Sequence, residues 1–297
     1  MLRNSSFVFL CAMAVALLFP GGASYTESFL LPVLGVIMTV SVADISLREF
    51  LNVRTLAFPV MAAIVLNYIV LGGTLIGLSR LFVDDEMFRH GYVLMAAVPP
   101  AVAVVPLSFL LNGNTRIALI GNVGAYISGL AITPLICLLF LGASLVEPTR
   151  LLIVLAELIV LPMVVTRIIR RTPLIGYVEK VRAPVVNWGF FIVIYTIVGL
   201  NRDTFLDETD TLLIVVGIAF AGTFVLAEVV NRVMKLFGVD KADRISLMLL
   251  SARKNDGLAG VIALIFFGAR AAMPIAVFTA ISVIHFVWLA WWTKRMR

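Results

Sequence analysis

An apolar stretch between residues 245 and 269 is interrupted by four consecutive polar or charged side chains, those of Arg253, Lys254, Asn255 and Asp256. Such side chains are costly to place against lipid, so in a membrane they line a protein cavity or pair with one another. The run is therefore a candidate binding or translocation site. Two hypotheses stay open: the charges serve a transported solute, or Arg253 and Asp256 only neutralise each other.

A second interruption is expected between residues 91 and 111, where Pro99, Pro100 and Pro106 fall within eight residues. Each proline lacks a backbone donor and clashes with the preceding turn, so a continuous helix is not expected. Irregular backbone at membrane depth is tolerated where it lines a cavity or is buried in protein. We therefore add these prolines, and Asn122 in the next apolar stretch, to the candidate site. The alternative, that the prolines only kink a packed helix, stays open.

The chain around these residues has the composition of a membrane protein. Of its 297 residues 62% are hydrophobic and 13% charged, with a mean hydropathy of +1.09, too little polar cover for a soluble domain. In lipid each segment must satisfy its own backbone hydrogen bonds, which favours helices. We predict an all-α, polytopic fold of ten apolar segments, at about residues 5–20, 28–43, 56–79, 91–111, 117–142, 151–166, 184–200, 211–231, 245–269 and 271–292.

The two halves of the chain share a pattern. Segments one to five, within residues 1–145, and segments six to ten, within 146–297, each place an interrupted span fourth and an unbroken span fifth. Because five is odd, the second half must enter the membrane upside down relative to the first. Many secondary transporters have this inverted-repeat plan. We predict a single membrane transport domain.

The basic residues predict the orientation. With the N-terminus inside, sixteen Lys or Arg residues lie on the cytoplasmic side, two (Arg253 and Lys254) lie within a segment, and five of the 23 lie outside: Arg80, Arg89, Arg150, Arg202 and Arg270. This asymmetry predicts a multi-pass protein of the inner, cytoplasmic membrane with both termini in the cytoplasm. The first segment also resembles a secretory signal peptide, but cleavage would leave nine spans, so we expect it to be retained.

Several classes of function are not supported. The net charge of +6 sits in short connections rather than in a patch for nucleic acid, and no cofactor is predicted. Cys11 and Cys137 fall inside apolar segments, so neither a disulfide nor a metal site is expected. The acidic motifs at residues 207–210 and 240–243 are spaced as in enzymes that bind magnesium diphosphate. They are predicted on opposite sides of the membrane, so an enzyme is not expected.

Other ionisable residues lie in or near the predicted spans. For Glu228 we expect an ion pair at the membrane interface with Arg232. Glu157 is either a proton site or the partner of a polar neighbour. His285 is expected to be a hydrogen-bonded structural residue and His90 a loop residue.

Several motifs resemble the bile acid:sodium symporter superfamily. They are the run Lys254-Asn255-Asp256-Gly257-Leu258-Ala259, the later Ala271-Ala272-Met273-Pro274, the stretch from Leu31 to Met38, and Thr133-Pro134. The resemblance covers nearly the whole chain. It implies ten helices in a panel domain (helices one, two, six and seven) and a core domain, which contains two crossed, broken helices, the fourth and the ninth.

The chain departs from that family at its sodium sites. A gapless alignment puts Val102, Val104 and Val105 where sodium-coupled members have threonine, serine and asparagine oxygens. In the ninth segment Leu250 replaces a glutamate and Lys254 a glutamine. Apolar side chains offer no oxygen to a hard cation. The usual sodium sites are therefore expected to be absent, and no metal site is predicted.

These observations predict a secondary active or facilitative transporter that works by alternating access. We expect its substrate to be a small organic anion, because Arg253, Lys254 and the half-helix N-termini favour negative charge. The alternatives are a sodium- or proton-coupled symporter of bile-acid-like substrates and a membrane sensor that keeps the transporter fold. Substrate identity, direction, coupling ion and oligomeric state stay open.

Overall fold

A computed structural model describes residues 5–41, 56–143 and 145–295. Within these ranges the regular structure is helical and contains no strand, as expected for backbone that must satisfy its own hydrogen bonds. The α-helices of the first half are α1 (Ser5–Leu18), α2 (Ala23–Glu27), α3 (Leu30–Ser41), α4 (Ala57–Phe82), α5 (Glu86–Ala97), α6 (Val104–Leu110) and α7 (Thr115–Phe140). Those of the second half are α8 (Pro148–Ile169), α9 (Ile175–Leu200), α10 (Arg202–Asp207), α11 (Thr209–Leu236), α12 (Lys241–Ala252), α13 (Asp256–Phe267) and α14 (Ala269–Arg295).

Six of the described helices are long and apolar enough to cross a membrane: α4, α7, α8, α9, α11 and α14. A seventh span results if α1 and the helical segment from Pro20 to Glu27, which meet at 96°, are taken together. The fourth and ninth predicted spans each consist of two helices, and each of these helices alone is too short to cross a membrane. The second predicted span continues past Ser41, outside the described residues. The chain is thus a multi-pass membrane protein, and the count of ten spans remains a prediction.

The helices pack in two groups. In one group α9 packs against α1 and α3, and α8 packs against α3. Hydrogen bonds from the Tyr195 hydroxyl to the Phe19 carbonyl (2.8 Å) and from Thr166 to the Thr39 carbonyl (2.6 Å) reinforce these contacts. In the other group α4 packs against α7, α11 against α12, and α14 against both α5 and α13. The two interrupted helices therefore lie in the second group.

Two features of the backbone affect how the helices pack and where their side chains point. A Cβ at Gly91 on α5 would lie 2.0 Å from the carbonyl oxygen of Ala271, so only glycine allows this approach to α14. Three long helices also contain a π-helical stretch: Val65–Leu71 in α4, Ala156–Val160 in α8 and Ala221–Val225 in α11. Such stretches redirect side chains and are frequent at functional sites.

Candidate functional site

The structure interrupts both segments where the sequence predicts interruptions. Residues 98–103 separate α5 from α6, and residues 253–255 separate α12 from α13. Pro99 and Pro100 lie in the first link, where their missing N–H groups break no helical ladder. Pro106 lies in the first turn of α6, which also requires no donor. The prolines thus end one helix and allow the next to start, rather than kinking a continuous one.

Lys254 joins the two interruptions. Its ammonium nitrogen lies 2.7 Å from Oδ1 of Asn67, 2.8 Å from the carbonyl oxygen of Ala96 and 3.0 Å from that of Val98. These three acceptors match the three donors of a lysine ammonium group. The side chain is 1% exposed, and its nitrogen lies 4.9 Å from the centroid of the Tyr68 ring. The positive charge is therefore enclosed by carbonyl dipoles, an amide and an aromatic face.

Asn67 provides the amide of this arrangement. Its Nδ2 donates to the carbonyl oxygens of Leu250 (3.1 Å) and Arg253 (3.0 Å), at the end of α12, while its Oδ1 accepts from Lys254. The residue is fully buried within the π-helical stretch of α4. Sequence analysis missed Asn67, although a lone asparagine in an apolar span is a signal, because a buried amide must find partners.

Asn255 connects the second interruption to its surroundings. Its side chain caps α13 by accepting from the Leu258 amide (3.1 Å), and its backbone N–H donates to the Pro99 carbonyl oxygen (2.9 Å). Its Nδ2 donates to the hydroxyl of Tyr126 (2.7 Å) and lies 3.6 Å from the sulfur of Met38 on α3. The contact with Met38 reaches the other group of helices. Among the candidate site residues, Asn255 thus lies at the boundary between the two groups of helices.

Two side chains of α7 hold the carbonyl groups of the first interruption. Nδ2 of Asn122 donates to the Ala101 carbonyl oxygen (3.0 Å), and the Thr133 hydroxyl donates to that of Ala97 (2.7 Å). Asn122 therefore contacts the interruption, whereas its Oδ1 is buried without a partner among the described residues.

Arg253 and Asp256 do not form the direct pair that one hypothesis requires. Within the described residues no ion pair of 4.0 Å or less joins Asp256 to Arg253 or to Lys254. One guanidinium nitrogen of Arg253 instead donates to the Ser282 carbonyl oxygen on α14. His285 is 1% exposed with neither ring nitrogen hydrogen-bonded in the described part of the chain, so the expectation of a hydrogen-bonded histidine was wrong.

The predictions for the other ionisable residues agree with the structure in part. Glu228 forms the expected ion pair with Arg232 (2.7 Å). His90 lies in α5 rather than in a loop, 6% exposed and 3.7 Å from Glu86, because α5 begins five residues earlier than the predicted segment. Glu157 is exposed on the π-helical stretch of α8.

Four of the positions aligned with the family's sodium ligands carry apolar side chains, and the structure shows how far these are buried. Val104 and Leu250 are fully buried, whereas Val102, in the first interruption, and Val105, in α6, are partly buried. No described group of three His, Cys, Asp or Glu residues could hold a metal ion. The main-chain oxygens of Ala96, Val98 and Pro99 already accept hydrogen bonds from Lys254 and Asn255.

A salt-bridge network closes one end of the second helix group. Arg270 at the start of α14 contacts Asp85 (2.6 Å) and Glu208 (2.8 Å). Burial opposes ionisation of Asp85, but hydrogen bonds from the Phe88 amide and from Arg270 outweigh it and lower the pKa of this carboxyl. The hydrogen bond from Arg270 likewise lowers the pKa of Glu208. The network ties α14 to the connections before α5 and α11.

Comparison with known proteins gives several distant relatives. No protein-family model matches the chain. The chain is 22% identical over 287 residues to the sodium-dependent transporter YocS of Bacillus subtilis, covering 94% of this chain and 87% of that protein. It is 27% identical over 180 residues to sodium/bile acid cotransporter 7 of Xenopus tropicalis, covering 58% of this chain and 52% of the frog protein. The mouse protein of the same name is 27% identical over 227 residues, covering 73% and 64%.

The chain thus spans nearly the full length of the bacterial relative and about half of the frog one. The relatives carry transporter names, and the described helices include several that are long enough to cross a membrane. The chain is accordingly similar, at 22–27% identity, to proteins that are named as transporters and not as enzymes, in agreement with its resemblance to the bile acid:sodium symporter superfamily.

Proposed function

We propose that the chain transports a small organic anion by alternating access, without sodium at the family's usual sites. The observation that carries the proposal is the buried contact of Lys254 with Asn67 and with the end of α5. Two helix interruptions that meet inside a membrane protein are the arrangement on which many secondary transporters build a substrate site.

The architecture that we propose is ten spans in two inverted repeats, residues 1–145 and 146–297. In this arrangement α1, α3, α8 and α9 form the panel domain, and the group around the interruptions forms the core domain. The packing of α9 against α1 and α3 supports this division. Alternating access would then be a movement of the core relative to the panel, across the contact of Asn255 with Met38.

The proposed membrane is the inner membrane, with both termini in the cytoplasm, on the strength of the sixteen-to-five distribution of basic residues. A reporter that is active only in the cytoplasm is therefore expected to be active when fused after Arg297. The same reporter placed in the connection between α4 and α5 should be inactive. A periplasmic C-terminus would overturn both the ten spans and the inverted repeat.

Charge supports an anionic substrate. Arg253, Lys254 and Asp256 together leave one net positive charge at the crossing. The N-termini of α6 and α13 add partial positive charge there. In this conformation Arg253 and Lys254 are enclosed by protein, so we propose that they act on the substrate through their field rather than by direct contact.

A second candidate function is a sodium-coupled symporter of bile-acid-like substrates. The observation in its favour is the naming of the relatives as sodium-dependent or sodium/bile acid transporters. Against it stand the four apolar side chains at the aligned sodium positions. We propose that the tethered ammonium of Lys254 does the structural work of sodium, balancing carbonyl dipoles where the broken helices cross.

One experiment separates these functions. A thermal-shift screen of the purified protein against organic acids identifies a ligand, since a ligand at 100 times its dissociation constant adds about 2.7 kcal/mol of stability. Counterflow of that ligand, radiolabelled, in liposomes then tests transport. We expect counterflow to be unchanged when choline replaces sodium at constant ionic strength. A saturable sodium dependence would favour the symporter, and binding without counterflow would favour a sensor.

A further inference from the structure

A second group of buried polar atoms is formed by Arg253, the start of α13 and α14. It consists of Arg253, Asp256, Ser282 and His285, which we call the α14 polar cluster. Six of its side-chain atoms are inaccessible and have no hydrogen-bond partner among the described residues: Nε and one Nη of Arg253, Oδ1 of Asp256, Oγ of Ser282 and both ring nitrogens of His285. Buried polar atoms are seldom left unpaired, so this concentration requires a reason.

Neither packing nor direct pairing accounts for the cluster. Arg253 is 6% exposed, Ser282 5% and His285 1%, so bulk water does not satisfy them. His285 packs between the rings of Phe224 and Trp288, with centroids at 4.7 and 5.9 Å, which fixes the imidazole without using its nitrogens. Because the cluster contains both donors and acceptors whose hydrogen bonds are not made by the described residues, it suits bound water and an exchangeable proton.

We propose that Asp256 reversibly binds a proton within the α14 polar cluster, and that this proton is the coupling ion of transport. The proposal rests on the transport function proposed above. It assigns a role to the one carboxylate at the crossing, whereas Lys254 supplies a fixed charge. Intramembrane carboxylates that lack a direct counter-ion commonly mark proton pathways.

Opposing effects make Asp256 suited to this role. The positive charges of Arg253 and Lys254, which are close to it in the sequence, favour its ionised form. Against ionisation stands the buried Oδ1, which accepts no hydrogen bond and is poorly solvated. The ionised form leaves one net positive charge at the crossing, and the protonated form leaves two. Nearby positive charge and burial of Oδ1 thus act in opposite directions on this carboxyl group.

The elements packed on the other sides of α13 offer no better proton carrier than Asp256. On the side of α3 and α9, the glycines of α13 meet the apolar side chains of Leu34, Phe190 and Ile197. On α5, which also packs against α13, the titratable or charged groups are Glu86, Arg89, His90 and Tyr92. The carboxylate among them, Glu86, has a 71% exposed side chain at the start of the helix and lies 3.7 Å from His90. The α14 side carries the serine and histidine of the cluster.

The charge at the crossing also predicts how the proton and the substrate are linked. Protonation of Asp256 raises the net positive charge beside the proposed anion site, so an anion binds more tightly to the protonated form. By thermodynamic linkage the anion in turn favours protonation. We therefore expect symport of the anion with a proton, driven inward by an inward proton gradient.

Infrared spectroscopy tests proton binding independently of transport. The wild-type protein, with aspartate carrying a ¹³C carboxyl, should show a carboxylic acid C=O band that grows as the pH is lowered. The band should shift with the isotope, be absent from Asp256→Asn and be retained in the control Asp210→Asn, whose carboxylate is exposed. If Asp256→Asn does not fold, Asp256→Glu decides instead: with only aspartate labelled, a band from position 256 must lose its isotope shift in this variant. The absence of the band from the wild type, or its retention in Asp256→Asn, would overturn the proposal.

The coupling is tested in liposomes with the ligand found by thermal shift. Uptake under an inward proton gradient should exceed uptake at equal pH in the wild type and in Asp210→Asn, whereas the gradient should not stimulate uptake by Asp256→Asn relative to that variant's own uptake at equal pH. If uptake does not respond to the proton gradient although the infrared band is present, the proposed coupling of transport to the proton is refuted. A failure of counterflow in the wild type would instead refute the transport function and leave the infrared result standing.

Discussion

A Lys254→Gln variant is expected to lose transport and to unfold at a lower temperature than the wild type. The substitution removes a buried ammonium that binds Asn67, Ala96 and Val98 within 3.0 Å. A glutamine amide is shorter and has only two N–H donors, so at least one buried oxygen atom is left without a partner. Each such atom costs about 1–3 kcal/mol. Thermal unfolding of the purified variant and counterflow in liposomes are the measurements.

The control for this prediction is Lys235→Gln. Lys235 lies exposed near the end of α11, so the same chemical change there should leave both the unfolding temperature and the transport rate near the wild-type values. The comparison separates the loss of a buried charge from the general effect of replacing lysine with glutamine.

Three outcomes for Lys254→Gln have different meanings. Loss of folding or of activity supports a fixed structural cation. Retained binding with a loss of pH dependence would make Lys254 the proton carrier, and the role proposed for Asp256 would then be wrong. Wild-type transport at every pH would leave only a passive role for the lysine. The described contacts already weaken one passive hypothesis, because the ammonium binds neutral oxygens rather than Asp256.

The interruptions of the fold were predictable from the sequence because their causes are local. Three prolines remove backbone donors wherever they stand, and a charged run cannot face lipid whatever surrounds it. The motif from Lys254 to Ala259 was likewise enough to indicate the superfamily. These features depend on residue type and spacing, which the sequence states directly.

The partners of the charged run were not predictable, because they depend on distant residues. Asn67 lies 187 positions from Lys254, and nothing in the apolar span around it indicates which face of α4 meets the crossing. The π-helical stretch that turns Asn67 toward α12 has no sequence signature of its own. Charge alone also allowed a direct pair of Arg253 and Asp256, whereas the Arg253 guanidinium donates to the Ser282 carbonyl oxygen instead.

The second large effect is expected when Asn67 is replaced, because its side-chain amide forms three hydrogen bonds. Asn67→Leu keeps a similar volume but leaves the carbonyl oxygens of Leu250 and Arg253 and one donor of Lys254 unpaired. We expect a loss of stability on the order of 3 kcal/mol or more, and a loss of transport, because the end of α12 is no longer held against α4.

The expected loss can be assigned to the contact between Asn67 and Lys254 by a double-mutant cycle. If the two residues form one network, Asn67→Leu combined with Lys254→Met should lower stability by less than the sum of the single variants, since each single change already leaves the other residue without its partner. The deviation from additivity should be about 0.5–3 kcal/mol in thermal unfolding. Asn201→Leu, which removes another buried asparagine that donates to two carbonyl groups, is the control and should combine additively with Lys254→Met. Additive losses for Asn67 and Lys254 would show that the two side chains stabilise the crossing independently, and the proposal that the ammonium holds the two broken helices together through Asn67 would then fail.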